Sequence, residues 1–322
     1  MRTRLTDVLQ VEHPVMLAGM GGVSYHRLVA AVSEAGGFGC MGASTMTAEQ
    51  MRDEIAKVRE LTAKPFGVDL LTAAPGDMAA KVNDIIDGGG SVFVAGLGVP
   101  RDVVDLCHSR NVLVVSMCGK VRHAIAAVEA GCDIVVAQGT EAGGHTGKIA
   151  TFALVPQIVD AVGERVPVVA AGGIVDGRGL AASLALGADG IWVGTRFIAT
   201  PEANSVPGYK EALLRTHEDG TVVTKAYTGK TCRVIENTYT KDFDSAGGVP
   251  EPFPMQVVKS MQDGANHLGG NPETADVDPD REFWPAGQGV GAINELVPAG
   301  ELVERFVKEA EAALGVVSKA FV

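Results

Sequence analysis

The chain has 322 residues, a formal net charge of -12 from 27 basic and 39 acidic side chains, and 41 glycines. Such an acidic balance offers no broad basic surface, which argues against a nucleic-acid partner. Hydrophobic residues make up 46% and the five cysteines are widely spaced without a CxxC, so a globular chain with reduced thiols is expected rather than a disulfide-stapled or zinc-bound one.

The glycine content is about twice the usual share of roughly 7%. It has no collagen period and is mixed with Val, Ile and Leu, so it points to tight turns and close backbone approaches. No apolar run reaches the roughly 18 residues of a membrane span. The start, MRTRLTDVLQVEHP, lacks the apolar core of a signal peptide. A cytoplasmic protein without a membrane partner is expected.

Eight short apolar runs follow one another in the first 200 residues. They are Val15–Gly19, Phe38–Gly42, Phe66–Leu70, Val92–Leu97, Val112–Met117, Ile134–Gly139, Val168–Gly173 and Ile191–Thr195. Their continuous apolar character predicts strands buried on both faces, as in a parallel sheet. The segments between them read as crossover helices. Thr47 and Gln50 form a capping-box pair opening a helix over 47–62, with Met51, Ile55, Val58 and Leu61 on one face. Helices are also expected over 77–87, 120–130 (stopped by Gly131) and 177–186 (stopped by Gly187). Eight strand–helix units predict an α/β fold, a (β/α)8 TIM barrel over 1–200. An open doubly wound sheet is the alternative, because periodicity does not show closure.

After Thr200 the rhythm breaks. Residues 201–285 carry polar stretches, and six of the 15 prolines lie in 250–285. A loop-rich, partly helical insertion is expected, either a cap over the substrate or a decorative or oligomer-forming element. Residues 286–322 should return to the barrel, with a helix over 300–314. The oligomeric state stays open, a homodimer being one option.

Glycine clusters mark the run ends, where a barrel builds its active site. After the seventh and eighth runs, Ala171, Gly172, Gly173, Gly194 and Thr195 can offer backbone N–H groups and a hydroxyl to a phosphate. After the first run, Ala18, Gly19 and Met20 present bare backbone that suits a flat ring. Phosphate and ring together suit flavin mononucleotide (FMN). No GxGxxG fingerprint follows the first strand, so a Rossmann site is not indicated.

His145 closes the run Glu141-Ala142-Gly143-Gly144-His145 and is the catalytic candidate, since imidazole titrates near neutrality. The other six histidines read as ordinary, and none shows metal-ligand spacing. Glu141 is either a general acid or a structural acceptor of backbone N–H groups. Gln138 can hydrogen-bond a flavin, and Asp69 can do so or cap a helix. Cys118 reads as structural, and Lys120 and Arg122 as a solvated helix face.

These motifs together resemble the nitronate monooxygenase family, formerly the 2-nitropropane dioxygenases. The resemblance rests on HPVMLAGMGGVS, AGGFGCMGA, KPFGVD, AQGTEAGGHTG, PVVAAGGIVDGRGLAASLALGADGIWVGTRF and PAGQ. It implies an FMN-bearing barrel with a helical second domain. Ala18, Gly19 and Met20 would lie against the ring and Gln138, Gly143 and Gly144 along its edge. Ala171, Gly172, Gly173, Gly194 and Thr195 would hold the phosphate. Gln288 would reach the flavin from the C-terminal segment, and His145 would be catalytic. The family more often has asparagine where Asp69 stands, and the first motif reads AGMGG rather than APMAGG. AGMGG-like starts also occur in NAD(P)H-dependent relatives acting on enoyl thioesters or quinones. Two enzymatic readings therefore stand. One is a monooxygenase of alkyl or propionate nitronates using O2, the other a reductase drawing on NAD(P)H. A flavin-binding module without turnover is a third reading. The inosine-phosphate dehydrogenase group is a look-alike whose nucleophilic-cysteine loop is not evident here.

Overall fold

The computed structural model describes residues 1–72, 77–96 and 98–320. Helix α1 (Arg4–Leu9) precedes a regular alternation of strand and helix: β1 (Val15–Leu17), α2 (His26–Glu34), β2 (Gly39–Gly42), α3 (Ala48–Leu61), β3 (Phe66–Leu71), α4 (Met78–Asp87), β4 (Val92–Gly96), α5 (Arg101–Ser109), β5 (Leu113–Cys118), α6 (Val121–Ala130) and β6 (Ile134–Gln138). A two-residue strand, β7 (Gly144–His145), interrupts this rhythm. Then come α7 (Thr151–Val162), β8 (Val168–Ala171), α8 (Gly177–Ala185), β9 (Gly190–Val193) and the single turn α9 (Thr195–Ile198). Leu97, the expected end of the fourth run, lies outside the described residues. Thr47 caps α3, with its side chain accepting from the Gln50 N–H and the Gln50 side chain reaching back, as the capping box predicts.

Every barrel pairing is parallel, in the order β1-β9-β8-β6-β5-β4-β3-β2. The ring closes where Met16 bridges Phe38, with Leu17 N–H donating to the Phe38 carbonyl at 2.9 Å. An open sheet is thereby ruled out, and the fold is the α/β TIM barrel. Side chains alternate along each strand between two apolar layers. Val15, Leu17, Val68, Val135 and Val193 pack outward against the helices. Met16, Phe38, Cys40, Val94, Val136, Val169 and Trp192 fill the axis.

The axis is plugged at one end only. Leu5 and Leu9 of α1 join the axial cluster, and the Arg4 guanidinium pairs with Asp189 at 2.9 Å. The strand C-termini at the other end are left to build a site.

Beyond the barrel, α10 (Tyr209–Arg215) leads into β10 (Thr221–Thr224) and β11 (Cys232–Ile235), followed by α11 (Thr238–Ser245) and α12 (Met255–Gln262). The hairpin is antiparallel, and β11 also pairs with β7, Cys232 opposite His145 and Arg233 opposite Gly144. A pattern of loop and helix omits this sheet, because no alternation in 201–285 signals a strand whose partner lies some 90 residues away. The last helix, α13 (Ala299–Lys319), packs on α8 and α2.

The α8–α13 contact is close. A Cβ on Gly177 would stand 2.4 Å from the Ala310 nitrogen and 2.5 Å from the Phe306 carbonyl, and the Gly177 N–H donates to Glu309 at 2.9 Å. Gly177→Ala should therefore cost about 1–3 kcal/mol in urea unfolding, since backbone on both sides resists the added methyl. An unchanged midpoint would show that α13 yields without penalty.

Candidate active site

A cavity of about 1240 Å³ opens at the strand C-termini, larger than the roughly 300–1,000 Å³ of common small-molecule sites. Ala18, Gly19, Met20, Asp69, Gln138, Gly143, Gly144, His145, Ala171, Gly172, Gly173, Gly194 and Thr195 all line it. The fold thus gathers at one mouth residues that the sequence scatters over 178 positions. Thr228, Lys230, Phe253, Val257, Val258, Met261, His267 and Glu282 of the region after the barrel line it too.

One corner is bare backbone. Gly172 and Gly173 have φ of 110° and 74°, conformations that side chains rarely adopt. Among the described residues, no protein acceptor receives the N–H groups of Gly173, Gly194 or Thr195. Thr195 Oγ1 accepts from the Gly287 N–H at 3.0 Å, which leaves its own hydrogen available. Such unpaired donors suit an anion.

The loop carrying His145 is pinned from several sides. A Cβ on Gly143 would stand 2.8 Å from the Gly287 nitrogen, so the loop packs directly on the returning C-terminal segment. The Glu141 carboxylate accepts from the Thr151 N–H at 2.8 and 3.0 Å and from its hydroxyl at 2.9 Å. It serves the first turn of α7 as a cap, and those bonds account for the side chain. Arg233, itself buried, donates from Nε to the Thr140 carbonyl at 2.9 Å.

His145 Nε2 lies 3.1 Å from Thr228 Oγ1. Burial lowers its pKa, and the nearby Lys230 ammonium lowers it further. Both effects disfavour a second positive charge, so the imidazole is neutral at neutral pH. Gln138 is committed within the protein, since its Nε2 donates to the His145 carbonyl at 3.0 Å. Its other amide atom is left for a ligand.

Several placements differ from expectation. Gln288 is exposed: its N–H donates to the Glu141 carbonyl at 2.9 Å, and Gly287 and Gly289 beside it line the cavity instead. Gln288 opens the short 3-10 turn over Gln288–Ala292 and is not part of the cavity lining. Lys120 and His123 are exposed at the start of α6, the solvated helix face expected for Lys120, and both also line the cavity. His267 is no isolated surface residue. Its Nδ1 meets Glu282 Oε2 at 2.6 Å and its N–H donates to Oε1 at 2.8 Å, with Glu282 1% exposed. Local sequence gives no signal for that pair. Cys118 faces the outer layer, and burial pushes its thiol up to about 11, which suits a structural thiol. No group of His, Cys, Asp and Glu among the described residues could hold a metal, and no helix among them is long and apolar enough to cross a membrane.

Comparison with known proteins agrees with the fold. The family model for nitronate monooxygenase matches residues 2–86 and 74–309. A probable nitronate monooxygenase of Staphylococcus aureus (strain JH9) is 33% identical over 315 residues, covering 83% of this chain and 88% of the relative. Among solved structures, FabK from Thermotoga maritima superposes with a TM-score of 0.89 at 33% identity, over 100% of both chains. Nitroalkane oxidase from Streptomyces ansochromogenes gives 0.86 at 32% identity, over 97% of this chain and 99% of that one.

The Glu141 contacts distinguish cap from catalyst. Glu141→Gln keeps one acceptor for the Thr151 N–H and should leave kcat within about threefold of wild type. Glu141→Ala should cost about 0.5–2 kcal/mol of stability in thermal or urea melts. A hundredfold loss of kcat in a folded Glu141→Gln protein would instead make the carboxyl a proton donor.

Proposed function

Because the chain belongs to the nitronate monooxygenase family, a family of flavin-dependent oxidoreductases, we propose that it is an FMN-dependent nitronate monooxygenase. It converts alkyl or propionate nitronates and O2 to carbonyl compounds and nitrite. The observation that carries this reading is His145: a neutral, half-buried imidazole in the cavity wall with the Lys230 side chain nearby.

The cavity fits FMN on its own features. The unpaired N–H groups of Gly173, Gly194 and Thr195 form a cradle for the phosphate, with the Thr195 hydroxyl beside them. Ala18, Gly19 and Met20 offer a low wall for the ring, and Gln138, Gly143 and Gly144 flank it. When bound there, the flavin supplies the electron-transfer chemistry that none of these side chains possesses.

The protein's part is binding and proton handling. Lys230 gives the cavity a positive charge that favours an anionic nitronate. His145, held through Thr228, positions that anion, or takes the α-proton of a neutral nitroalkane when one is offered. The region after the barrel roofs the site and limits water around the substrate.

A second reading has its own support. Phe253, Val257, Val258 and Met261 give the roof an apolar wall, and Phe253, Val258 and Met261 are also exposed at its rim. Such a wall suits a longer apolar substrate, such as an enoyl thioester or a quinone reduced at the expense of NAD(P)H.

Anaerobic stopped-flow mixing separates the two. Propionate 3-nitronate should bleach the flavin absorbance faster than turnover requires, and NADH and NADPH should not. Rapid bleaching by either nucleotide and none by the nitronate would replace the monooxygenase with the reductase.

His145 makes two further predictions. His145→Ala should lower kcat/KM by at least about a hundredfold, in line with a lost acid–base group, with the flavin still bound. With neutral nitroalkane as substrate, the base must be unprotonated to act. Its lowered pKa places the acidic fall of kcat/KM below pH 6.5, and a fall centred above 7 would assign the proton transfer elsewhere.

A further inference from the structure

Strand alternation turns Asp69 toward the barrel axis, in a position that should be apolar. Its neighbours Val68 and Leu70 pack outward with the helices. Asp69 itself pairs in register with Gly42 of β2 and Val94 of β4, and Cys40 and Val94 beside it belong to the axial cluster. Among the described inward-facing positions of the eight barrel strands, it is the one charged residue type.

Its side chain is fixed in place. A Cβ on Gly19 would stand 2.2 Å from Asp69 Cβ and 2.8 Å from its Oδ2, so the carboxyl lies directly on the backbone of the β1 loop. What opening it has is to the cavity. No side-chain hydrogen bond or ion pair is made to it by any described residue. β2 brings only Cys40, whose thiol burial pushes well above its usual range. β4 brings Val94, Ala95 and Gly96, and the β1 loop brings Gly19 and Met20, all without charge. The ionisable groups elsewhere on the cavity wall are Lys120, His123, His145, Tyr209, Lys230, Cys232, His267 and Glu282, and none is bonded to it.

An ionised carboxylate at this point would have neither a cation nor an N–H to offset its desolvation. Burial accordingly pushes the Asp69 carboxyl up to about 8. Below that pH it carries a hydrogen, and so presents one O–H donor and one carbonyl acceptor to the cavity.

We infer that Asp69 serves the flavin as a neutral acid, donating a hydrogen bond to an acceptor of the ring, and that cofactor binding is therefore coupled to proton uptake at this one carboxyl. The inference rests on the proposed FMN site. Its physical basis is mutual: a ring lying over the carboxyl excludes water from it, and exclusion of water favours the protonated form. An ionised Asp69 would set an unpaired negative charge against the ring's acceptor atoms. Where it is ionised beforehand, it must take one proton from solvent as FMN binds, and returns it on release.

The test is the affinity of flavin-stripped protein for FMN, read by quenching of FMN fluorescence between pH 6.5 and 9.5. If only the acid form binds, the wild-type Kd should weaken about tenfold from pH 7 to pH 9, following a single proton with apparent pKa near 8. Asp69→Asn keeps an N–H donor without the charge. Its Kd should match the wild-type value at low pH and stay level to pH 9, which subtracts any titration of FMN itself. A second measurement needs no variant. Calorimetry of wild-type binding at pH 9, in buffers of different ionisation enthalpy, should show uptake of close to one proton per FMN.

A wild-type Kd level across the range, with no proton uptake, overturns the inference and leaves the FMN site standing. So does a variant whose Kd weakens with pH as the wild type does, or a folded variant that loses FMN at all pH values. Absence of FMN binding by wild type at any pH overturns the proposed function and this inference with it.

Discussion

Everything at the open end of the barrel depends on one short antiparallel contact. Gly144 and His145 pair with Arg233 and Cys232, and through that pairing the chain after the barrel is joined to the loop that carries His145. Backbone hydrogen bonds set the register, and a one-residue slip would turn His145 away from the cavity. Arg233 reinforces the junction by reaching the Thr140 carbonyl. Tyr227, five residues before Cys232, bonds Asn237 and the Arg281 carbonyl and joins Tyr239 and Phe283 in one apolar cluster. The imidazole is thus placed by two elements, each of which alone would leave it on a free loop.

The barrel supplies the complementary constraint. Its axis is filled with Met16, Phe38, Val136, Val169 and their neighbours, and α1 closes the far end, so a ligand can approach only from the strand C-termini. Small residues at Ala18, Gly19, Ala171 and Gly172 stop this filling one layer short. The resulting space is deep, largely apolar and almost free of charge at its floor. Burial there acts in opposite senses on two unlike groups, with Lys230 adding to its effect on His145. It keeps His145 neutral by disfavouring its cationic form, and it keeps Asp69 neutral by disfavouring its anionic form.

Local pattern was sufficient for the elements themselves. The eight apolar runs became eight barrel strands with ends shifted by one or two residues, and the Thr47–Gln50 capping box formed as read. Residues adjacent to a strand end were equally legible, because a glycine cluster after a buried strand has few places to go. Gln288 was not, since its direction depends on a tight turn packed against Glu141, which nothing near it in the chain encodes. The His267–Glu282 pair and the β10–β11–β7 sheet escaped for the same reason, their partners being brought together only by the roof.

The sequence by itself determined the strand–helix alternation and marked the glycine clusters at the strand ends, the His145 loop among them, because each is a property of residues close together in the chain. Only the tertiary structure decided that the sheet closes, which histidines share the cavity, and that Asp69 lies unpaired among apolar neighbours. Those depend on desolvation and on contacts between residues far apart in the chain, such as Val15 with Ile191, and a side chain's protonation state is set by what surrounds it in space.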